Sequence, residues 1–380
     1  MDHFSIIIGG DLVPTTSNEE YFITGAIESL ADNPLLEALN VADFRIYNLE
    51  VPLADKEQPI PKCGPNLIAK TSTINGIKSL NPNLLTLANN HICDQDKQGL
   101  FSTIDVLKKA DIACVGVGAN LQEACKPYLI EQAGMCIGVY ACAEHEFSIA
   151  TSTSAGANPF DPLESLDHIH DLKSHCDYVI VLYHGGKEHY RYPSPYLQKA
   201  CRKMAQKGAD LVVCQHSHCI GCYEEYEGSV IVYGQGNFLF DHSENEFWQT
   251  SLLLRVCISD VMKVEYIPIV KAGNAVRLAN EKQSKEILQG LMQRSIEIQQ
   301  EGFIEKRYTE FAEQMHRGYL VGLHGNNLIF KVLNKICRYK LTGKLYSEKL
   351  LLKIRNIIEC EAHRELILKG LTENGDNKRE

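Results

Sequence analysis

What the chain lacks narrows its function before any motif is read. Basic residues do not outnumber acidic ones: 38 Lys and Arg stand against 48 Asp and Glu, a net charge of −10. That balance argues against a sequence-independent nucleic-acid binder, which needs a basic surface to displace counterions from phosphates. No run of about 18 apolar residues occurs, so no transmembrane segment is expected. The opening MDHFSIIIGGD has no basic segment leading into a long apolar stretch; no signal peptide is read, and a cytoplasmic protein is expected. Internal repeats and low-complexity blocks are missing as well. Cysteine is not scarce, with fourteen residues, but it is dispersed through apolar runs such as IACVGV and MCIGVYAC. That spread fits buried thiols in a reducing compartment better than a disulfide framework.

What is present is an ordinary globular composition, 44% hydrophobic and 23% charged over 380 residues. Short β-branched runs alternate with helical segments: SIIIGGD, FRIYNLE, LLTLANNH, IACVGVG, CIGVYAC, YVIVLYHGG, LVVCQHSH and SVIVYGQGNF read as strands. Helices are expected around Asn33 to Leu39, Gly99 to Ala110, Pro162 to His175 and Pro195 to Lys207. TSLLLRVCIS and MKVEYIPIV follow with only turns between them, so part of the sheet is expected to be antiparallel. The pattern predicts an α/β sandwich in residues 1–275. Residues 276–380 turn to helical periodicity, and Leu350, Ile354, Ile357 and Ile358 are spaced for one apolar helical face. A helical cap or a partner interface is the expected role of these helices. The Lys and Arg between Lys331 and Lys353 read first as a solvated face, ahead of a membrane or polymer surface.

Residues of metal-ligand type recur at the carboxyl ends of successive expected strands: Asp11, Glu50, Asn90 with His91, His184, then His216 with His218. In open α/β sheets that edge is where side chains leave the interior together and ligands bind. Singly, each has a plainer explanation. Asp11 after two glycines suits a turn, Asn90 competes with Asn89 for a turn position, and a lone His184 is more often structural. His216 and His218, two apart, point the same way if the strand stays extended. Together they offer carboxylate, amide and imidazole donors suited to one or two divalent metal ions of the Mn, Fe, Zn or Ni class. Such a set favours metal-assisted hydrolysis. The neighbouring Cys219 and Cys222 form a CxxC, but no second CxxC exists to complete a structural zinc site, and no helix is expected to follow and activate a thiol.

The ordered series GD (Asp11), NLE (Glu50), NNHxxD (Asn90, His91, Asp94), His184, HxH (His216, His218) and GNFLFD (Gly236 to Asp241) resembles the CapA proteins. These are poly-γ-glutamate capsule biosynthesis proteins, a branch of the calcineurin-like metallophosphoesterases. YHGGKEHY is similar to a further family segment, with His189 inserted before Tyr190. The resemblance implies a four-layer αββα sandwich carrying a C-terminal helical extension. It implies that Asp11, Glu50 and His218 serve one metal and that Glu50, Asn90, His184 and His216 serve another. His91 would act beside the substrate, oriented by Asp94. One departure stands out: the wider superfamily has DxH in its first motif, whereas this chain has Asp11-Leu12-Val13, and Val13 cannot bind a metal. The implied function is a phosphoesterase-type hydrolase acting on a phosphorylated or polyanionic polymer substrate. A non-catalytic role in polymer synthesis or export, and metal-dependent amide (γ-glutamyl) hydrolysis, are the alternatives. Tyr190, Tyr192, Phe238 and Glu188 are expected near the crevice.

Overall fold

Three consecutive isoleucines near the N-terminus are fully buried, yet they belong to two different cores: Ile6 and Ile8 to one, Ile7 to another. Successive side chains of a strand point to opposite faces, so a strand covered on both sides reads as an unbroken apolar run. The fold follows from repeating this arrangement. The computed structural model describes residues 4–132, 134–241, 243–323, 328–337 and 340–376. Its first strands are β1 (Phe4–Leu12), β2 (Phe44–Leu49), β3 (Leu84–Thr86), β4 (Ala113–Val115), β5 (Val117–Gly118), β6 (Tyr128–Gln132) and β7 (Met135–Ala143). There follow β8 (Gly156–Ala157), β9 (Tyr178–His184), β10 (Leu211–Gln215), β11 (Tyr223–Tyr226), β12 (Ser229–Val232), β13 (Thr250–Ile258), β14 (Met262–Ala272) and β15 (Ala275–Leu278).

One sheet has seven strands in the order β15-β14-β13-β1-β2-β3-β4, and a second has six in the order β11-β12-β10-β9-β7-β6. In the first, β1 to β4 run parallel, while β13, β14 and β15 add to it antiparallel. In the second, β7, β9, β10 and β12 are parallel, with β6 and β11 antiparallel at the edges. Between the sheets lies a core of Ile6, Ile8, Ile46 and Leu84 from one and Val139, Ile180, Leu182 and Val213 from the other. On the outer face of the first sheet, Ile7 and Tyr47 meet Leu35 and Leu39 of the helix Asn33–Asn40 and Leu100 and Leu107 of the helix Asp96–Lys109. On the outer face of the second, Val181 and Val212 meet Ile169 of the helix Ser165–His175 and Leu197, Cys201 and Met204 of the helix Pro195–Gln206. The result is the four-layer αββα sandwich. Local signals start two of these helices: Asp32 and Ser194 cap them by accepting hydrogen bonds from Leu35 N and Leu197 N, and Pro195 opens the second.

Two expectations need revision. The segment after the CxxC, read as a loop, contains β11, whose inward-facing residue is Glu224. That carboxylate is satisfied by Arg202, with Nη2 at 2.6 Å, and by the Tyr233 hydroxyl. A paired acid in a core position hides the apolar alternation on which a strand is recognised. The chain also forms two compact units, 1–305 and 306–380. The division at 275/276 falls inside the first, because β15 pairs with β14 and the helix Glu281–Glu297 places Leu291 in the inter-sheet core. The second unit is helical, with helices Leu328–Ile336, Lys340–Leu345, Glu348–Glu359 and Glu361–Asp376. Among the described residues no helix is long and apolar enough to cross a membrane.

The end of β1 is held by a close backbone crossing. A Cβ at Gly10 would lie 2.0 Å from the Gly236 carbonyl oxygen, and the Asp11 carbonyl accepts hydrogen bonds from Phe238 N at 3.0 Å and Leu239 N at 3.1 Å. The two glycines in GGD and GNF therefore let two chain segments touch directly beneath Asp11. Gly10→Ala should force these segments apart and destabilise the protein by about 1–3 kcal/mol or more, as overpacking does. Urea denaturation against wild type measures the loss.

Candidate metal centre

The parallel strands of both sheets end on the same side, and this carries the polar residues of the series into one buried cluster. Asp11 is the penultimate residue of β1, Glu50 directly follows β2, Asn90 and His91 follow β3, His184 ends β9, and His216 and His218 follow β10. All but His91 are buried. His184 Nε2 lies 3.0 Å from Asn90 Oδ1, 3.1 Å from Glu50 Oε1 and 3.1 Å from His216 Nδ1. Across the cluster, His218 Nδ1 lies 3.4 Å from Asp11 Oδ2. Donor atoms of Glu50, His184 and His216 fall within 4.8 Å of one another, and so do those of Asp11, Glu50 and His218. Glu50 is common to both groups.

The chemistry of this donor set fits one or two cations. Glu50 is completely buried, and among the described residues neither of its carboxylate oxygens has a hydrogen-bond partner, its 3.1 Å approach to His184 Nε2 not being one. A buried carboxylate left without partners is costly unless a cation neutralises it. Burial, followed by the Asp11 charge, pushes the Glu50 carboxyl up to about 8. Burial also opposes the charge on His218, but the Asp11 and Glu50 carboxylates overcome it and raise the imidazole to about 9. His184 is lowered to about 4 by burial, and burial together with the neighbouring imidazoles holds His216 well below its ordinary value. Two unprotonated imidazoles thus face the shared carboxylate on one side.

The local backbone differs from expectation at HxH. β10 ends at Gln215, and His216 and His218 have φ of 79° and 54°. They are not extended; both occupy the left-handed region, at a cost of about 1–3 kcal/mol each. These turns, not strand periodicity, aim the two rings into the cluster. Val13 is buried in the core beneath the first sheet, so the position of the missing histidine is packing. Phe238 also belongs to that core, stacked on Tyr47 at 4.9 Å, and Tyr192 turns away to Glu297, with its hydroxyl 2.6 Å from Oε2. Neither lines the crevice in the way expected. Cys219 and Cys222 are free and completely buried, and burial raises both thiols, an environment that makes them inert.

His91 stands at the margin of the cluster, with Nδ1 2.6 Å from Asp94 Oδ2. Asp94 is buried and also accepts from Leu67 N at 2.7 Å and from Lys62 Nζ. Lys62 was not singled out from the sequence. Its ammonium is buried, 3.2 Å from His91 Nδ1, although PKCGPN reads as an ordinary polar loop. Three asparagines were also missed as supports. Asn48 donates to Asp11 Oδ1 at 2.7 Å, Asn89 Nδ2 donates to the Leu49 carbonyl at 2.9 Å, and Asn237 Oδ1 lies 2.8 Å from His218 Nδ1. Asn48 in YNLE and Asn237 in GNF each sit inside an apolar run, the one signal that could have marked them.

An αββα sandwich with carboxylate, amide and imidazole donors at its strand ends defines the class, and the family match supplies the identity. The chain belongs to the bacterial capsule synthesis protein PGA_cap family, whose model matches residues 5–242. Over 212 residues it is 30% identical to the capsule biosynthesis protein CapA of Bacillus anthracis, covering 53% of this chain and 52% of that protein. Over 179 residues it is 31% identical to the PGA biosynthesis protein CapA of Bacillus subtilis, covering 46% and 47%. The chain spans about half the length of these curated relatives. Among solved structures, a phosphatase from Mycoplasma pneumoniae is similar over 77% of this chain and 99% of its own, with a TM-score of 0.45 and 15% identity.

The raised Glu50 carboxyl has a stability consequence whose sign is fixed. A carboxyl with a folded-state pKa above its unfolded value contributes most below that unfolded value, and the contribution is lost as pH rises toward about 8. In metal-free protein, Glu50→Gln should therefore stabilise relative to wild type by a margin that grows from pH 5 to pH 8. The same substitution should abolish the thermal shift produced by added Mn. Melting temperatures of both proteins across this pH range, with and without chelator, decide it.

Proposed function

We propose that the protein is a divalent-metal-dependent hydrolase of the phosphoesterase type, acting in the synthesis or remodelling of a capsule-like anionic polymer. The observation that carries this reading is the completely buried Glu50 carboxylate, lacking hydrogen bonds and shared by two donor groups. Asp11, Glu50 and His218 would hold one ion, and Glu50, Asn90, His184 and His216 a second. Bound there, one or two ions of the Mn, Fe, Zn or Ni class would lower the pKa of water and neutralise charge on a phosphoryl group. The protein's own contribution is positioning. Asn48 and Asn237 hold Asp11 and His218 in place from either side. Asp94 fixes the His91 ring and its tautomer through Nδ1, leaving Nε2 as the nitrogen that would meet the leaving oxygen. Lys62 neutralises the second oxygen of Asp94, so the carboxylate can stay buried while it orients His91.

The test is turnover of bis-p-nitrophenyl phosphate and p-nitrophenyl phosphate by the purified protein loaded with Mn, Ni or Co, with metal content measured in parallel. His91→Ala should lower kcat by about 10²–10⁴, the usual contribution of a general acid, with metal content unchanged. His216→Ala should lose metal and activity together. A protein that retains no metal and turns over neither ester would sink the proposal, and cleavage of a γ-glutamyl anilide in preference to both esters would reassign the same site to amide hydrolysis.

A further inference from the structure

The second unit contains a helix built inside out. Asn334 of the helix Leu328–Ile336 is buried, with Nδ2 2.6 Å from Thr342 Oγ1 and Oδ1 accepting from Thr342 N at 3.2 Å. This pair ties the helix to its neighbour Lys340–Leu345 by its polar side. The opposite side is apolar and faces outward: Leu328 is 75% exposed, Val332 51%, Leu333 48% and Ile336 71%. Their spacing places them along one helical stripe, the face that a water-soluble helix normally buries. The helical hairpin Glu348–Glu359 and Glu361–Asp376 repeats the theme with a groove of about 780 Å³, in which Leu352, Ile357, Leu366 and Ile367 are joined by Lys349 and Lys353.

Charge selects what covers these faces. Residues 328–371 carry ten lysines and arginines against four glutamates, a local excess of six positive charges in a chain whose net charge is −10. A second copy of the same face would bring like charges together. A purely polyanionic chain would satisfy the lysines and leave the leucines and isoleucines in water. An anionic lipid surface takes both, since apolar side chains enter the acyl boundary while lysines meet the headgroups. We propose that residues 328–371 form a peripheral docking surface for an anionic membrane. The surface needs no spanning helix and lies outside the residues matched by the family model. It would hold the hydrolytic unit near a polymer made or exported at a membrane.

The full chain should co-sediment with vesicles of phosphatidylcholine mixed with phosphatidylglycerol, bind phosphatidylcholine alone far less, and lose affinity at high salt. The exposed pairs Val332→Glu with Ile336→Glu, and Lys349→Glu with Lys353→Glu, should each weaken binding about tenfold or more. Circular dichroism and the metal content of the first unit should be unchanged in both. The proposal is overturned if the chain binds no vesicle, if it binds both vesicle types equally, or if both double variants bind like wild type. A concentration-dependent dimer dissolved by the apolar double variant, or retention on poly-glutamate, either one without vesicle binding, would also overturn it by assigning the face to another occupant.

Discussion

The structure turns on a buried carboxylate without a hydrogen-bond partner among the described residues. Glu50 is delivered by β2 into a site walled by two sheets, where both of its oxygens are buried and neither has a hydrogen-bond partner among the described residues. A packed sandwich does not keep such a group without compensation, because an unpaired buried carboxylate outweighs the gain from many apolar contacts. Its neighbours explain what it is kept for. Imidazoles of depressed proton affinity lie on one side, and an aspartate with a raised imidazole lies on the other. The site is arranged to favour positive charge at its centre.

The rest of the fold serves to hold that arrangement. The parallel strands of each sheet bring their carboxyl ends to one edge, and the glycine crossing at Gly10 and Gly236 lets the β12–β13 connection lock the end of β1. His216 and His218 reach the cluster only by taking up left-handed backbone conformations. The strain there and the unpartnered Glu50 carboxyl lie within one cluster, the pattern expected when local stability is exchanged for a site. His91, Asp94 and Lys62 form a separate, fully compensated ion group at its margin, suited to orienting a ring and not to holding a cation.

The two units face opposite physical problems. The first buries charge inside an apolar sandwich and leaves the ligand set at its edge. The second hides a polar asparagine and presents leucine and isoleucine to solvent. Each departs from the ordinary inside-outside order at the place where a ligand or a surface is proposed to bind. In the second unit the exposed helix faces and the positive charge occur together, the combination on which the proposed membrane surface rests.

Much of this was readable along the chain. Continuous apolar runs ending in Asp11, Glu50, His184 and His216 specify strands buried on both faces that deliver these side chains to one edge, because strand periodicity and the burial cost of polar groups are local properties. The CxxC could be set aside for a similar reason, lacking partners in the sequence. What the tertiary structure alone decided is the pairing. Lys62 reaches Asp94 across a loop, Asn48 and Asn237 support Asp11 and His218 from other segments, and Glu224 faces inward because Arg202 meets it. The histidines turn through positive φ and not along a strand, and the boundary between units lies at 305/306 because β15 and the following helix pack back onto the sheets. These depend on contacts between residues far apart in sequence, whose free energy no local pattern records.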